Sequence, residues 1–178
     1  MRNALRMLRE DLKEKARWYY KSDDLKAVAK TLGTDGTPSM VLYRLMQGSR
    51  ESKLPALEML FNKLNAIGGC VIGRGAEFGP GFVLFHAGGV VINGRVKGGA
   101  HVHLQHEVTL GDNGYGETPE LGSDILIGAG AKVIGKIKVG DGARIGANAV
   151  VVKDVEPNQT VVGIPAKPVT RRHAVREP

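Results

Sequence analysis

The sequence predicts an all-β parallel β-helix, triangular in cross-section, that follows a small N-terminal α-helical region. Three observations support this fold class. Glycine makes up 25 of the 178 residues, and 22 of those glycines follow residue 67. Aliphatic or aromatic residues recur every six positions through the same glycine-rich part. Only 9 residues are aromatic, so the core must consist mainly of Val, Ile, Leu and Ala.

The composition excludes several classes of protein. The single cysteine, Cys70, excludes a disulfide framework or a cysteine-based zinc site, and we expect its side chain to be buried. No apolar run reaches the ~18–20 residues of a membrane span. The first 15 residues are charged throughout and lack the apolar core of a secretory signal. We therefore expect a cytoplasmic protein that contacts no membrane.

The first segment, residues 1–66, is predicted to be helical. Glycine is scarce there, as expected for helices, because each glycine in a helix interior costs ~1 kcal/mol. Ser22 is a candidate cap for a second helix, and Thr37 with Pro38 forms a cap and first-position pair for a third. Pro55 begins a fourth helix.

Thirteen positions at six-residue spacing define the repeat. They are Ile72, Phe78, Leu84, Val90, Val96, Val102 and Val108, then Leu121, Ile127, Val133, Val139, Ile145 and Val151. A helix would repeat at three to four residues and a strand at two, whereas six residues suffice for one short strand and one turn. Three such units close a triangular coil in which one side chain per face points inward and stacks on the residue 18 positions further on. Large rings do not fit this narrow interior, which explains the scarcity of aromatic residues.

The spacing is interrupted once, between Val108 and Leu121. The interrupting stretch is polar and rich in glycine, so we expect residues 111–120 to leave the β-helix as a loop. Loops that interrupt a rigid scaffold commonly carry function.

The chain therefore divides into three predicted segments. Pro165 and Pro168 mark the end of the β-helix, because proline cannot extend a ladder of hydrogen bonds. The segments are the helical region 1–66, the β-helix 67–169 and a basic C-terminal tail 170–178.

Four words of the sequence resemble one family. They are FHAGGVVI from residue 85, HEVTLGD from 106, IGAGAKVIGKIKVGDGARIGANAVVVKDV from 127 and VVGIPAKPV from 161. Over residues 38–169 the chain resembles the hexapeptide-repeat acyltransferases, and the serine acetyltransferase family most of all. The resemblance implies a left-handed β-helix, although ordinary crossovers are right-handed. It also implies acetyl-CoA as co-substrate, a small-molecule acceptor and a homotrimer with active sites between neighbouring subunits, and it leaves a dimer of trimers open.

The resemblance assigns the catalytic base to His86. An imidazole with a pKa near 6.5 can take the proton of the attacking hydroxyl and return it to the departing thiolate. Backbone N–H groups are expected to stabilise the oxyanion. The alternative is that His86 only packs at the trimer interface.

The chain departs from the family where the acceptor binds. Carboxylates are replaced by Val71 and Phe85, and an Arg-His pair is replaced by Glu117 and Thr118. These changes remove groups that would bind a zwitterionic amino acid. Serine is thus the family acceptor, and a saccharide or another non-serine small molecule is the alternative.

Three residues are expected to contact the acceptor. Phe85 and Tyr115 suit a less polar acceptor or a sugar ring. His106 precedes the Val-Thr-Leu-Gly word, as a histidine often does in the family.

His101 and His103 extend this group of histidines and raise a metal alternative. Trimeric β-helical carbonic anhydrases bind zinc through three histidines, but the residue one predicted coil after His86 is Leu104, so the match is weak. We expect these histidines to line the cleft or the interface and expect no metal. Glu107 is a candidate substitute for the missing carboxylate partner of His86.

The basic residues suit a coenzyme with a pyrophosphate and a 3′-phosphate. The net charge is +7, and the C-terminal coils are the basic part of the β-helix. By resemblance, Gly111, Ala129 and Ala147 lie along the CoA channel, and Lys153 and Lys167 are candidate phosphate contacts, although each lysine can equally be a solvated surface residue. No aromatic interleaving accompanies the charge, so no nucleic-acid partner is expected.

The function expected from the sequence is an acetyl-CoA-dependent O-acetyltransferase that resembles serine O-acetyltransferase. Two further alternatives remain, a catalytically silent β-helix that acts as a scaffold and a zinc hydratase. The first predicts that CoA does not bind, and the second predicts stoichiometric metal held by histidine.

Overall fold

The computed structural model describes residues 1–169, so the predicted basic tail, residues 170–178, lies outside the described residues. Four helices come first: α1 Arg2–Tyr20, α2 Leu25–Thr31, α3 Thr37–Glu51 and α4 Pro55–Ile67. The Asp24 carboxylate caps α2 by accepting from the Ala27 N–H at 2.7 Å, so the cap lies two residues after Ser22. No helix within residues 1–169 is both long and apolar enough to cross a membrane.

Short strands follow and form three flat faces. They are β1 Val71–Ile72, β2 Glu77–Phe78, β3 Val83–Leu84, β4 Val91–Ile92, β5 Lys97–Gly98, β6 His103–Leu104, β7 Thr109–Gly111, β8 Glu120–Leu121, β9 Leu126–Ile127, β10 Lys132–Ile134, β11 Lys138–Val139, β12 Arg144–Ile145, β13 Val150–Val151, β14 Thr160–Val162 and β15 Lys167–Pro168. Face A contains β1-β4-β7-β10-β13, face B contains β2-β5-β8-β11, and face C contains β3-β6-β9-β12-β14 with β15 antiparallel at its edge. From β1 to β13, successive strands visit faces A, B and C in turn with parallel pairing, which confirms the predicted fold class.

The first coil is longer than the sequence pattern predicts. Ile72 pairs with Ile92 rather than with Val90, because the turn between β3 and β4 contains two extra residues. Each side of a coil also buries two residues, one in the strand and one at the corner two positions earlier, as Val90 and Ile92 show. The predictions of one inward residue per side and of stacking 18 residues apart in the first coil were therefore wrong.

The interruption of the repeat is also shorter than it looks in the sequence. In the six-residue series, Val108 lies at a corner of the coil whereas Leu121 lies in a strand. The step of thirteen between them therefore joins two different kinds of position. From strand to strand the step runs from Leu110 to Leu121, which is one repeat plus five residues. The loop leaves between β7 and β8, where Arg95 Nη1 donates to the Gly116 carbonyl at 2.9 Å.

Two phenylalanines occupy the interior of the first coil, where the sequence predicted no room for rings. Phe78 and Phe82 stack with centroids 4.4 Å apart, and Tyr43 of α3 packs on Phe82 at 5.3 Å. Gly98, in the next coil, leaves room for these rings, because a Cβ at that position would lie 2.5 Å from the Phe78 ring. The helices cover this end of the β-helix, so its first coil is part of a mixed core.

A buried ion pair fastens the helices to that coil. Arg44 Nε donates to Asp11 Oδ2 at 2.7 Å, and both side chains are fully buried. Arg44 also donates to the carbonyls of Phe78 and Gly79, and Asp11 accepts from the Phe82 N–H. Burial raises the pKa of Asp11, and the Arg44 guanidinium opposes that shift. The pair thus fixes α1 and α3 on the first coil through backbone groups.

The lone cysteine lies in the core, as predicted. Cys70 is completely buried between α4 and β1, and burial raises the pKa of its thiol to about 11. A thiol that stays protonated at neutral pH is a poor nucleophile.

Candidate active site

The turns that connect face C to face A form one continuous corner, called here the C/A corner. The strand register stacks His86 beneath His106, and His106 beneath Ala129 and then Ala147. The His86 and His106 rings have centroids 5.9 Å apart. The residue one coil above His86 is thus His106 and not Leu104 as the sequence suggested, because of the two extra residues in that turn. Since coils are spaced ~4.8 Å apart, this corner brings the predicted base near two predicted CoA contacts.

His86 has a carboxylate partner that the sequence did not reveal. Its Nδ1 lies 3.0 Å from Oδ2 of Asp35, a residue of the turn between α2 and α3. The hydrogen bond from His86 is the main reason why the pKa of Asp35 is lowered. Val71, at the position where the family has a carboxylate, is half-exposed on β1. The structure brings Asp35, rather than Glu107, to His86.

The Asp35 turn is held against the backbone beside His86. Gly36 has φ +77°, and a Cβ there would lie 2.3 Å from the Leu84 carbonyl oxygen. The fully buried Lys15 donates from Nζ to the Leu84 carbonyl at 2.9 Å, to Thr37 Oγ1 at 3.0 Å and to the Asp35 carbonyl. Burial lowers the pKa of Lys15 to about 8 and the charge of Asp35 opposes that shift. The ammonium group of Lys15 therefore binds both the carbonyl of Asp35 and the carbonyl of Leu84, two residues before His86.

Aromatic rings from the end of α1 lie beside His86. Trp18 and Tyr19 pack on Phe85 with centroid distances of 5.3 and 5.9 Å. Phe85 is buried, whereas Trp18 is 39% exposed and Tyr19 is 41% exposed. We call these three residues the aromatic shelf. Together with His86 and Gln105, they line a cleft of about 180 Å³.

The remaining predicted acceptor contact lies elsewhere in the chain. Tyr115 is 88% exposed in the loop after β7. This loop leaves the corner between faces A and B, whereas His86 lies on the C/A corner. The structure of the single chain therefore does not bring Tyr115 to the predicted base.

The predicted CoA contacts are also dispersed around the coils. Ala129 and Ala147 share the C/A corner, and Gly111 ends β7 on face A, against Ile134 of the next coil. Lys153 follows β13 of face A, and Lys167 lies in β15 at the edge of face C. Both lysines are exposed and form no ion pair within residues 1–169.

The histidine cluster predicted from the sequence is split between two places. His101 Nδ1 and His103 Nε2 each lie 3.4 Å from an oxygen of Glu14 on α1, while His106 accompanies His86. The imidazole of His103 beside it lowers the pKa of Glu14 to about 2, and burial opposes this shift. Among the described residues, Glu14, His101 and His103 are the group of side chains whose positions could hold a metal ion. They lie beneath Trp18, whose ring is 5.3 Å from that of His103.

The chemistry available at the C/A corner is that of a general base. With Nδ1 bound to the Asp35 carboxylate, the other ring nitrogen of His86 is left to accept a proton. The side chain of His86 is 49% exposed, so a substrate hydroxyl can reach it. Two stacked positions of the upper corner, Ala129 and Ala147, have small side chains, which leave the backbone accessible to an extended ligand.

Comparisons with known proteins identify relatives of this chain. Residues 118–153 match the family model described as bacterial transferase hexapeptide (six repeats). Serine acetyltransferase of Helicobacter pylori (strain J99) is 39% identical over 140 residues, which are 76% of this chain and 82% of that protein. The Mycobacterium tuberculosis serine acetyltransferase is 47% identical over 102 residues, which are 56% of this chain and 44% of that protein.

Solved structures extend the similarity to the helical region. Serine acetyltransferase of Neisseria gonorrhoeae superposes with a TM-score of 0.82 at 31% identity, over 95% of this chain and 67% of that chain. Serine acetyltransferase of Brucella abortus in complex with coenzyme A superposes with a TM-score of 0.80 at 29% identity, over 92% of this chain and 66% of that chain.

Proposed function

The chain belongs to the serine acetyltransferase family of hexapeptide-repeat acyltransferases, and we propose that it transfers acetyl from acetyl-CoA directly to an acceptor hydroxyl with His86 as general base. It is an acyltransferase, and acetyl-CoA is its co-substrate. The observation that carries the catalytic assignment is the contact of His86 Nδ1 with Asp35 at the foot of the C/A corner.

Each step of the transfer can be assigned to an atom of the site. The Nε2 of His86 takes the hydroxyl proton while the hydroxyl oxygen attacks the thioester carbonyl carbon. The C–S bond then breaks, and the imidazolium returns its proton to the CoA thiolate. Asp35 keeps the ring in the tautomer with the proton on Nδ1 and stabilises the imidazolium, as a carboxylate does in hydrolase triads.

The coenzyme is proposed to run along the upper C/A corner. Ala129 and Ala147 leave room there for the pantetheine arm to approach the backbone, and Gly111 does the same on face A. Lys153 and Lys167 are exposed cations on later coils, suited to the phosphates of CoA. A relative of similar fold has been solved with coenzyme A.

A homotrimer would complete this site. The loop with Tyr115 leaves the corner between faces A and B, and three-fold symmetry can bring such a loop to the C/A corner of a neighbouring subunit. The proposal therefore keeps Tyr115 and His106 as acceptor contacts, with Tyr115 acting between subunits. Light scattering tests the assembly, and a monomeric active enzyme would contradict it.

The catalytic assignment is tested by the release of CoA thiol from acetyl-CoA, with L-serine and simple sugars as acceptors. We expect His86→Asn to lower kcat by about 10²–10⁴-fold. His101→Asn is the matched control, since His101 contacts Glu14 and lies outside the site. Equal activity of the two variants would refute His86 as base. No release with any acceptor, together with no CoA binding, would favour the silent scaffold.

A further inference from the structure

We infer that the acceptor is a carbohydrate, bound with one sugar ring on the aromatic shelf so that a ring hydroxyl reaches His86. This inference rests on the proposed function and names its acceptor class. An amino-acid acceptor would require charged partners in the cleft. A free amino acid carries an ammonium and a carboxylate, and binding both in a cleft takes oppositely charged side chains, because desolvated charges need partners.

Within one chain, the lining of the cleft beside His86 contains no carboxylate and no ammonium group. The other residues that line it are Trp18, Tyr19, Phe85 and Gln105, none of which is charged. Asp35, the nearby carboxylate, already binds His86 and accepts from the Gly36 N–H at 2.8 Å. The buried ammonium of Lys15 already contacts three oxygens.

The same cleft offers what a sugar ring needs. Trp18 is 39% exposed and Tyr19 is 41% exposed next to the proposed base. The ammonium groups of Lys21 and Lys15 each lie 5.9 Å from the centroid of one of these rings, and the remaining exposed apolar surface is available for a ligand. The C–H groups on one face of a pyranose are apolar and slightly positive, so they pack on the negative face of an aromatic ring. The hydroxyls then point to the rim of the cleft.

A polar group stands at that rim. The Gln105 side chain forms no hydrogen bond within residues 1–169. Its amide can donate to one hydroxyl and accept from the next, an arrangement suited to vicinal hydroxyls. Gln105 also lies one coil above Phe85, so it can touch a ring that lies on the shelf.

Phe85 is the central member of the aromatic shelf. The Phe85 ring is buried and supports both Trp18 and Tyr19. A charged residue in its place would lose this packing and would itself need a partner. The apolar ring at position 85 therefore supports the two rings of the sugar site.

The reaction on this acceptor balances without any further reactant. A sugar hydroxyl oxygen forms the new ester bond to the acetyl carbon, and the thioester C–S bond breaks. The hydroxyl proton passes through His86 to the thiolate, which gives an O-acetyl sugar and CoA.

Binding can be measured directly because Trp18 is the only tryptophan of the chain. The full-length protein is titrated with methyl glycosides of glucose, galactose, mannose and N-acetylglucosamine, and separately with L-serine, at saturating CoA. We expect a saturable change in tryptophan emission with at least one glycoside and none with L-serine. The Met59→Ala variant is the matched control, because Met59 is an exposed apolar residue of α4 outside the cleft, and it should bind like the wild type.

Kinetics then separates this inference from the proposed function. With the glycoside that binds best, Trp18→Ala should raise KM for the sugar at least tenfold with a smaller change in kcat. Trp18→Phe should recover part of the loss, and Met59→Ala should leave KM unchanged. Circular dichroism melts verify that all variants fold. Efficient acetylation of L-serine that Trp18→Ala leaves unchanged would support the proposed function and overturn the carbohydrate inference. Saturable sugar binding without acetyl transfer would support the shelf and refute the proposed function. Neither binding nor transfer with any sugar would overturn the inference.

Discussion

The lower and upper parts of the C/A corner follow the same repeat and differ in what they add to it. In the upper coils the spacing is regular and the corner positions are small, as at Ala129 and Ala147. In the lower coils two extra residues widen the turn around His86, and the helices cover the adjoining face C. The regular repeat thus supplies a rigid, open groove, while departures from it supply the reactive groups.

The helices matter to this contrast because they hold the lower corner in place. Asp35 and Lys15 come from the helical region, and both contact the backbone or side chains that flank His86. In the upper coils, no residue of the helical region serves a corner position in this way within the described chain. Variants of the lower region should therefore affect catalysis, and variants of the upper region should affect the binding of CoA.

Among the residues that hold His86 and the groove in place, the largest effect is expected from Asp35→Asn. Without the carboxylate, the Nδ1–H tautomer and the imidazolium of His86 lose their partner, so kcat should fall by about 10²-fold. Asp124→Asn is the matched control, because Asp124 is an exposed residue of the upper coils with no side-chain hydrogen bond among the described residues. Steady-state kinetics at fixed pH measures both variants. Similar rates for the two would show that the lower corner does not depend on the Asp35 contact.

The fold could be predicted from the sequence, but its register could not. Six-residue spacing and glycine-rich turns are local features, so they indicated the β-helix directly. Each side of a coil, however, buries an aliphatic residue at the corner and another in the strand, as at Val90 and Ile92. Because both kinds of position favour the same side chains, the sequence pattern passes from one to the other without a visible break. The two extra residues beside His86 were hidden for this reason.

The site was predictable in part for a related reason. His86 and the small residues of the C/A corner stand in recognisable words of the sequence. Asp35 reaches His86 across 51 positions, through helices whose docking depends on the buried Asp11–Arg44 pair. A short Thr-Asp-Gly turn before a helix was the only local signal, and such turns are common. The exposed rings of Trp18 and Tyr19 likewise look in the sequence like the buried face of a helix.

A smaller effect is expected from Lys15→Met. This change leaves the carbonyls of Asp35 and Leu84 without their buried donor, which should cost about 1–3 kcal/mol of stability and lower kcat roughly tenfold through misplacement of Asp35. Lys13→Met on the exposed side of α1 is the control, since its ion pair with Glu10 is 3.8 Å long and solvated. Denaturant unfolding and steady-state kinetics report the two effects. A loss of stability with unchanged kcat would restrict Lys15 to a structural role.

The upper corner is tested by Ala147→Leu. A larger side chain there should obstruct the proposed CoA groove and raise KM for acetyl-CoA about tenfold, which corresponds to ~1.4 kcal/mol, with kcat and thermal stability nearly unchanged. Glu156→Leu introduces the same side chain at an exposed position on another side of the β-helix and should have no such effect. An unchanged KM in Ala147→Leu would place the coenzyme elsewhere.

The smallest effect concerns Glu14, which holds α1 on the lower coils through His101 and His103. The folded-state pKa of Glu14 is about 2, below its ordinary value of 4.5, so the contribution of the carboxylate is complete above pH 4.5 and disappears as the pH falls towards 2. Glu14→Gln should therefore be less stable than the wild type by about 1 kcal/mol near neutral pH, and the difference should shrink below pH 4.5. Urea unfolding across this range, with a chelator present to keep cations from the two histidines, measures it. Glu10→Gln is the control one helical turn away and should unfold like the wild type at every pH. If Glu14→Gln were still less stable than the wild type at pH 2, the loss of stability would not come from the ionised carboxylate. Packing alone would then hold the helix.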